Sequence, residues 1–266
     1  MHIKIFSKIV PVILALFISA CGIFPDLIDE TRGWPASKLY AEARTELAAG
    51  NFDKSIQYFE KLESRYPFGT YAQQAQMEVA YAYYRKDDQP QALAAVSRFI
   101  KLHPNHPNVD YMYYLRGLIT FNDKLSLFHF ISRQDATERD PKAARDAFDA
   151  FKQLADRFPN SIYTPDAILR MKYLVNAMAQ YEVHVAEYYY RRGAYLAAAN
   201  RAQMAVKDYR ESPAAEEGLY LMARSYDELG LNELRDDAER VLRKNYPDSV
   251  FFKGGRIKTE PWWKIW

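Results

Sequence analysis

The sequence predicts an all-α solenoid of helical hairpins, and three observations carry that prediction. First, one phrase recurs. Positions twelve, eight and five residues before a proline read Ser55/Phe59/Leu62 ahead of Pro67, Ala92/Val96/Phe99 ahead of Pro104 and Ala147/Phe151/Leu154 ahead of Pro159. That spacing sets a small and two large side chains on one helix face, and the proline, lacking an N–H to donate, closes the helix. Second, the first copy, GNFDKSIQYFEKLESRYP over residues 50–67, opens on Gly50-Asn51, which supplies the backbone freedom of a tight helix-helix corner. Third, glycine is scarce and β-branched runs are confined to the N-terminus, so little is left from which to build strands.

The recurring unit resembles the tetratricopeptide repeat, with its glycine turn, packed small residue and closing proline. The chain as a whole reads as a tetratricopeptide-like helical-hairpin solenoid of about five repeats behind a lipoprotein signal peptide. At its start, His2, Lys4 and Lys8 precede an apolar run from Ile9 to Ile18, then Ser19-Ala20-Cys21. A basic beginning, an apolar stretch too short to span as a mature helix and small residues before a cut mark residues 1–20 as a signal peptide. Ile18 stands where an ordinary signal peptidase prefers a small residue. Ile18-Ser19-Ala20-Cys21 instead looks like a bacterial lipobox, in which Cys21 takes a diacylglycerol and becomes the mature N-terminus. Cys21 is the chain's single cysteine, so with its sulfur lipidated no thiol remains for a disulfide, a metal or redox work. Several acyl chains, at about 0.8 kcal/mol per buried CH₂, make a stable anchor. Gly22 follows, where an aspartate is associated with inner-membrane retention, so the periplasmic face of the outer membrane is expected. Residues 21–35, with prolines and no period, read as a lipidated tether.

Residues 36–108 hold repeats one and two. The first pairs a helix from Ser37, a natural N-cap, to about Ala48 with the helix that begins at Phe52. The second pairs Tyr71–Lys86 with Pro90–Leu102 across an Asp87-Asp88 corner, Pro90 suiting a first helical turn. His103-Pro104-Asn105-His106-Pro107 follows; its two histidines invite a metal, but prolines on both sides and no acid before Asp110 favour a loop. Repeat three, over 109–161, is interrupted at 122–141 by an apolar knot, Leu125/Leu127/Phe128/Phe130/Ile131, and then a charged run. Such an insertion is either a loop tucked onto the solenoid or a partner-binding element.

Residues 162–250 hold repeats four and five. Pro165–Arg192 is too long for one repeat helix, and it reads as an extra helix set beside, or run on into, the first helix of unit four. Its expected apolar line is Ile168/Met171/Val175/Met178, continued by Tyr181/Val185/Tyr188. Gly193-Ala194-Tyr195 makes the next corner, and Ala198/Ala202/Ala205 the packed face after it. In unit five Leu234/Ala238/Val241 precede Pro247 one residue early, as suits an end repeat packed on one side only. The tail, 251–266, carries Trp262, Trp263 and Trp266 beside lysines. It fits a membrane interface, a partner's pocket or the chain's own last helix.

Composition excludes more than it proposes. Without residues 1–20 the chain carries 34 basic against 34 acidic residues, which speaks against nucleic acid as the main partner. It has no glycine-rich phosphate loop, nucleophile elbow or paired-histidine metal motif, and His129 and His184 stand alone, so no enzyme is expected. No metal and no cofactor beyond the lipid on Cys21 are expected. Twenty-one tyrosines suit a binding scaffold, since a tyrosine can pack its ring and still satisfy its hydroxyl at a surface.

ESRYPFGTYAQQAQ (63–76), AYAYYRKDD (80–88), RFIKLHPNHPNVDYMYYLRG (98–117), RDPKAARDAF (139–148), RFPNS (157–161) and VAEYYYRRGAYLAAANRAQ (185–203) closely resemble the BamD (ComL) family. This is the essential lipoprotein of the outer-membrane β-barrel assembly (BAM) machine. The resemblance runs to about Pro247 and includes the insertion and the loops as well as the repeats. It implies docking of the C-terminal half on the periplasmic domains of the barrel catalyst BamA. It implies binding of BamC, and of the C-terminal targeting segment of unfolded barrel proteins, by the N-terminal half. Matching residues assigned to that segment are Arg65, Tyr66, Phe68, Tyr71, Tyr81, Tyr84 and Arg116, with at least half of the tyrosines expected to serve repeat packing as well. Arg201, about 100° round its helix from the packed Ala202, is expected to face solvent or a carboxylate of the BamA-like partner. A periplasmic scaffold linked to peptidoglycan, or to DNA uptake, is the rival reading.

Overall fold

The structure is a computed structural model that describes residues 29–121 and 142–253. Cys21, the insertion 122–141 and the tryptophans of the tail lie outside the described residues. Ten α-helices are present among the described residues: α1 (Ala36–Ala48), α2 (Phe52–Arg65), α3 (Thr70–Lys86), α4 (Gln89–Leu102), α5 (Val109–Thr120), α6 (Lys142–Arg157), α7 (Thr164–Arg191), α8 (Tyr195–Asp208), α9 (Ala214–Glu228) and α10 (Asn232–Asn245). A 3₁₀ turn, Val250–Lys253, follows. Each helix packs on the next, and each odd-numbered helix also packs on the following odd-numbered one. That is the connectivity of stacked hairpins, in which a repeat buries its apolar face only against its neighbours.

The corners explain why the pattern of turns was readable. The first helices of four hairpins end on a residue in the left-handed region: Gly50 (φ 82°), Asp87 (φ 69°), Gly193 (φ 75°) and Gly230 (φ 70°). In each, the next amide reaches back to the last helical turn, Asn51 to Glu46 O, Asp88 to Tyr83 O, Ala194 to Tyr189 O and Leu231 to Tyr226 O, all at 2.9–3.0 Å. This satisfies carbonyls that a helix end otherwise leaves orphaned. Asp87 takes the conformation without glycine, and Asp88 caps α4 by accepting from the Gln91 amide.

The three recurring phrases are core throughout, with Ser55, Phe59, Leu62, Ala92, Val96, Phe99, Ala147, Phe151 and Leu154 all at 0–1% exposure. Ser55 costs nothing there because its hydroxyl donates to Ala43 O at 2.9 Å. Ala198, Ala202 and Ala205 are likewise fully buried.

Four expectations need correction. Ser37 is not a cap: α1 begins at Ala36 behind Pro35, and no side chain caps it. The stretch Thr164–Arg191 is one continuous 28-residue helix, but its buried line is Ala167, Leu174, Met178, Ala179, Val183 and Ala186. Ile168 and Tyr188 stand 41% and 48% exposed, because alanines let neighbouring helices approach closely and push the bulky residues to the flanks. In unit five, Leu234 is exposed and Val241 half-buried, and Ala238 and Leu242 carry the contact. The last part of the expected tether is not free: residues 29–34 are bound to the first repeat. Asp29 accepts from Lys61 at 2.7 Å and pairs with Arg65, Thr31 is 2% exposed, and Trp34 packs 6.0 Å from Tyr58. The Lys61 and Thr31 bonds hold the Asp29 carboxyl well below the usual carboxylate range.

Candidate functional site

Helix ends and corners set out the candidate surface in three places, rather than bringing its residues into one pocket. The first is the corner between α2 and α3. Arg65, in the last turn of α2, donates to Thr31 O at 2.6 Å and Thr31 Oγ1 at 3.0 Å besides pairing with Asp29, so it fastens the N-terminal segment. Tyr66 caps α2 and donates its hydroxyl to Trp34 O at 2.8 Å. Tyr71 leans on Tyr40, ring centroids 5.6 Å apart. Between them Gly69, at φ 99°, turns the chain so that Phe68 stands 91% exposed. A phenylalanine left 91% exposed at this corner is the least expected feature of the surface on transfer energetics, since burying it would gain about 2 kcal/mol.

The second place is the inner face of α3. Tyr81 and Tyr84 lie 6.3 Å apart and both pack on the core cluster of α4 and α5, next to Tyr111. Arg85 donates to the Tyr81 hydroxyl at 2.9 Å. These two tyrosines therefore serve packing, as expected of at least half of them, with their edges half-exposed.

The third place belongs to unit three. Arg116 on α5 donates to Gln153 Oε1 at 3.0 Å, and its guanidinium lies 5.0 Å from the Tyr113 ring. Arg157, the last residue of α6, lies 5.4 Å from the same ring and donates to the Tyr113 hydroxyl at 2.6 Å. Burial lowers the Arg116 pKa, and the neighbouring Arg157 charge lowers it further. Beside it, Tyr114 stacks on Tyr163 at 4.9 Å and donates to Asp166; burial first, then that bond, push its hydroxyl up to about 12.

Arg201 corrects a further expectation. It is 38% exposed, and it does not face solvent alone: Nη1 donates to Glu182 Oε2 of α7 at 2.9 Å, and that carboxylate is only 5% exposed. Its side chain leaves the Ala198/Ala202/Ala205 face sideways as predicted, but toward the preceding helix.

His103 and His106 are absorbed by the loop. A His103 ring nitrogen bonds Gln76 Oε1 at 2.9 Å, His106 accepts from the Asn108 amide at 3.1 Å, and both rings rest on Phe99. Among the described residues no helix is long and apolar enough to cross a membrane.

Sequence reasoning missed Asp29, Thr31, Trp34, Gln153, Arg157 and Glu182. For Arg157 a signal was available: Arg65-Tyr66-Pro67 and Arg157-Phe158-Pro159 are the same phrase in two repeats. The others depend on contacts between elements that no local pattern announces.

The sequence model of the YfiO family, described as an outer membrane lipoprotein, matches residues 33–242. The chain is 46% identical over 257 residues to outer membrane protein assembly factor BamD of Neisseria meningitidis serogroup B, covering 95% of this chain and 96% of the relative. It is 44% identical over 257 residues to the factor of that name from Neisseria gonorrhoeae, with the same coverage of 95% and 96%. With that of Vibrio cholerae it shares 38% identity over 225 residues, 85% of this chain and 92% of the relative. The likeness thus spans the insertion, the loops and the repeats together, and the chain belongs to the YfiO outer membrane lipoprotein family, that of assembly factor BamD.

Proposed function

We propose that this protein is a lipid-anchored scaffold that assists assembly of β-barrel proteins at the outer membrane. The observation that carries the assembly role is the end-to-end similarity to outer membrane protein assembly factors. The anchor is Cys21, a covalent lipid being the one prosthetic group, and the chain acts by binding, with no catalysis. Its N-terminal half holds the C-terminal targeting segment of an unfolded barrel protein and binds BamC-like and other BAM lipoproteins. Its C-terminal half docks the periplasmic domains of BamA, Arg201 offering that partner the donors it does not spend on Glu182.

Three features support the reading of the N-terminal half. A targeting segment is a short extended strand ending in an aromatic residue, and Phe68, Tyr66 and Tyr71 give it exposed rings at one rigid corner. Tyr81 and Tyr84 continue that aromatic surface along α3 with half-exposed edges. Arg65 contributes by fixing residues 29–34 beside the corner, and Arg116 by a positive charge that no carboxylate among the described residues pairs with.

A synthetic peptide copying a barrel C-terminus, carrying a photoreactive group, should crosslink within residues 60–120, with Phe68→Ala reducing the yield several-fold. Crosslinks found only beyond residue 180 would reverse the assignment of halves. Cys21→Ala should block lipid attachment and leave precursor or soluble protein; unchanged retention of that variant in membranes after alkaline extraction would sink the lipobox reading.

A further inference from the structure

Unit three carries two arginines at positions that line a cleft in unit five. In unit five a cleft of about 590 Å³ opens between α8 and α10 over α9, lined among others by Val206, Leu219, Met222, Val241 and Asn245. Aligning the buried Leu115 with Leu221, and Leu154 with Leu242, puts Tyr113, Arg116, Gln153 and Arg157 at the positions of Leu219, Met222, Val241 and Asn245. Ile100 of α4, which packs on the cluster containing Tyr113, takes the place of Val206, with Lys101 beside it in that of Lys207. Two positions held by the uncharged Met222 and Asn245 in unit five are therefore arginines in unit three.

The cations are not neutralised. Among the described residues neither Arg116 nor Arg157 has a carboxylate partner, although most other arginines of the described helices do. Arg116 Nε is buried with no partner at all. Two like charges about one ring cost free energy in the isolated chain, and a bound anion would relieve that cost. Asp149, at the position of Asp237 on the groove wall, pairs with neither arginine.

We propose that Arg116 and Arg157 form a receptor for one carboxylate, an aspartate or glutamate side chain of a polypeptide lying across the α5–α6 hairpin of unit three. The donors left over define the ligand. Arg116 spends Nη1 on Gln153 and keeps Nε buried, and Arg157 spends Nη1 on Tyr113, which leaves Nη2 of the first and the Nε–Nη2 edge of the second for a ligand. One such edge and one further donor match the two oxygens of a planar carboxylate; a phosphate would keep oxygens unmatched. Ile100, partly buried against the same cluster, offers an apolar contact to the stem of the side chain. The inference rests on the reading that the N-terminal half receives a polypeptide, and it adds the charge that polypeptide must carry.

The test uses the full lipidated chain in detergent micelles with ¹⁵N-labelled arginine, titrated at constant ionic strength with N-acetylglutamate amide and, separately, with inorganic phosphate. The Nε–H resonances of Arg116 and Arg157 should shift saturably with the glutamate probe and less with phosphate. Arg157→Gln should weaken the response of Arg116 at least about tenfold, one unit of 1.4 kcal/mol. Arg116→Met, which copies Met222 of unit five, should melt no lower than wild type while losing the response at Arg157. Tighter binding of phosphate would overturn the carboxylate assignment. Shifts no larger than those of the exposed Arg243, or a lower melting point of Arg116→Met, would make both arginines structural. Failure of the barrel-peptide crosslinks at 60–120 with a saturable shift at Arg116 would reject the targeting-segment reading and keep this one.

Discussion

Gly117→Val should remove about 3 kcal/mol from the fold, and Gly117→Ala about 1–2 kcal/mol, with the loss centred on the α5–α6 hairpin. Gly117 lies inside α5, where alanine would ordinarily gain about 1 kcal/mol of helix propensity. A Cβ there would stand 2.9 Å from Cζ of Phe151 and nearer still to Cε1 and Cδ1. Phe151 is 0% exposed, with Tyr114 and Phe121 rings about it, so the ring has no free space into which to swing. The clash outweighs the propensity. Urea unfolding of the two variants, with amide exchange along α5 to localise the change, measures it. Adding Phe151→Leu to Gly117→Ala should recover part of the loss, since contacting residues do not add independently. A Gly117→Ala protein more stable than wild type would show that the ring moves freely.

Arg201→Glu should cost about 3 kcal/mol, and Arg201→Lys well under half of that. The substitution takes away the cation paired with Glu182, whose carboxylate is 5% exposed, and sets a second carboxylate against it. Losing one member of a buried pair ordinarily costs about 3–5 kcal/mol; the lower end applies because Arg201 is 38% exposed and water reaches its outer edge. Glu182→Gln in the Arg201→Glu background should restore most of the melting temperature. This changes how Arg201 is tested as a BamA contact. A charge reversal that releases the partner also loosens the joint between α7 and α8, whereas Arg201→Lys keeps the internal pair and loses only the fork of donors. Melting of Arg201→Glu indistinguishable from wild type would mean that Glu182 is solvated in solution.

The repeat frame was legible because helix period, corner and stop coincide in one phrase. Phe59, Phe99 and Phe151 could each be placed in the core from their distance to a proline. Where the chain leaves that phrase, legibility falls. On α7 the bulky Ile168, Val175 and Tyr188 suggested the buried line, yet Ala167, Ala179 and Ala186 form it; close packing prefers small residues, and hydropathy ranks them low. The binding surface was legible in kind but not in arrangement. Aromatic residues near 66–84 were visible, whereas the pairing of Arg65 with Asp29, of Arg201 with Glu182 and of Arg157 with Tyr113 joins residues 19 to 44 positions apart. Such partners are chosen by the stacking of helices, which a single sequence does not print.

The unbroken α7 makes the two halves of the solenoid keep time with each other. Its first half is built into the core of α5 and α6 and its second into that of α8 and α9, with no loop between to absorb a change. Over 28 residues it spans about 42 Å, and each residue advances the axis by about 1.5 Å and turns it by about 100°. One residue more or fewer near its middle would swing everything beyond it by more than a right angle. Evolution can therefore lengthen the loops of this protein at will, but the distance and the angle from the Phe68 corner to the Arg201 joint behave as a cut key, altered only in whole helical turns.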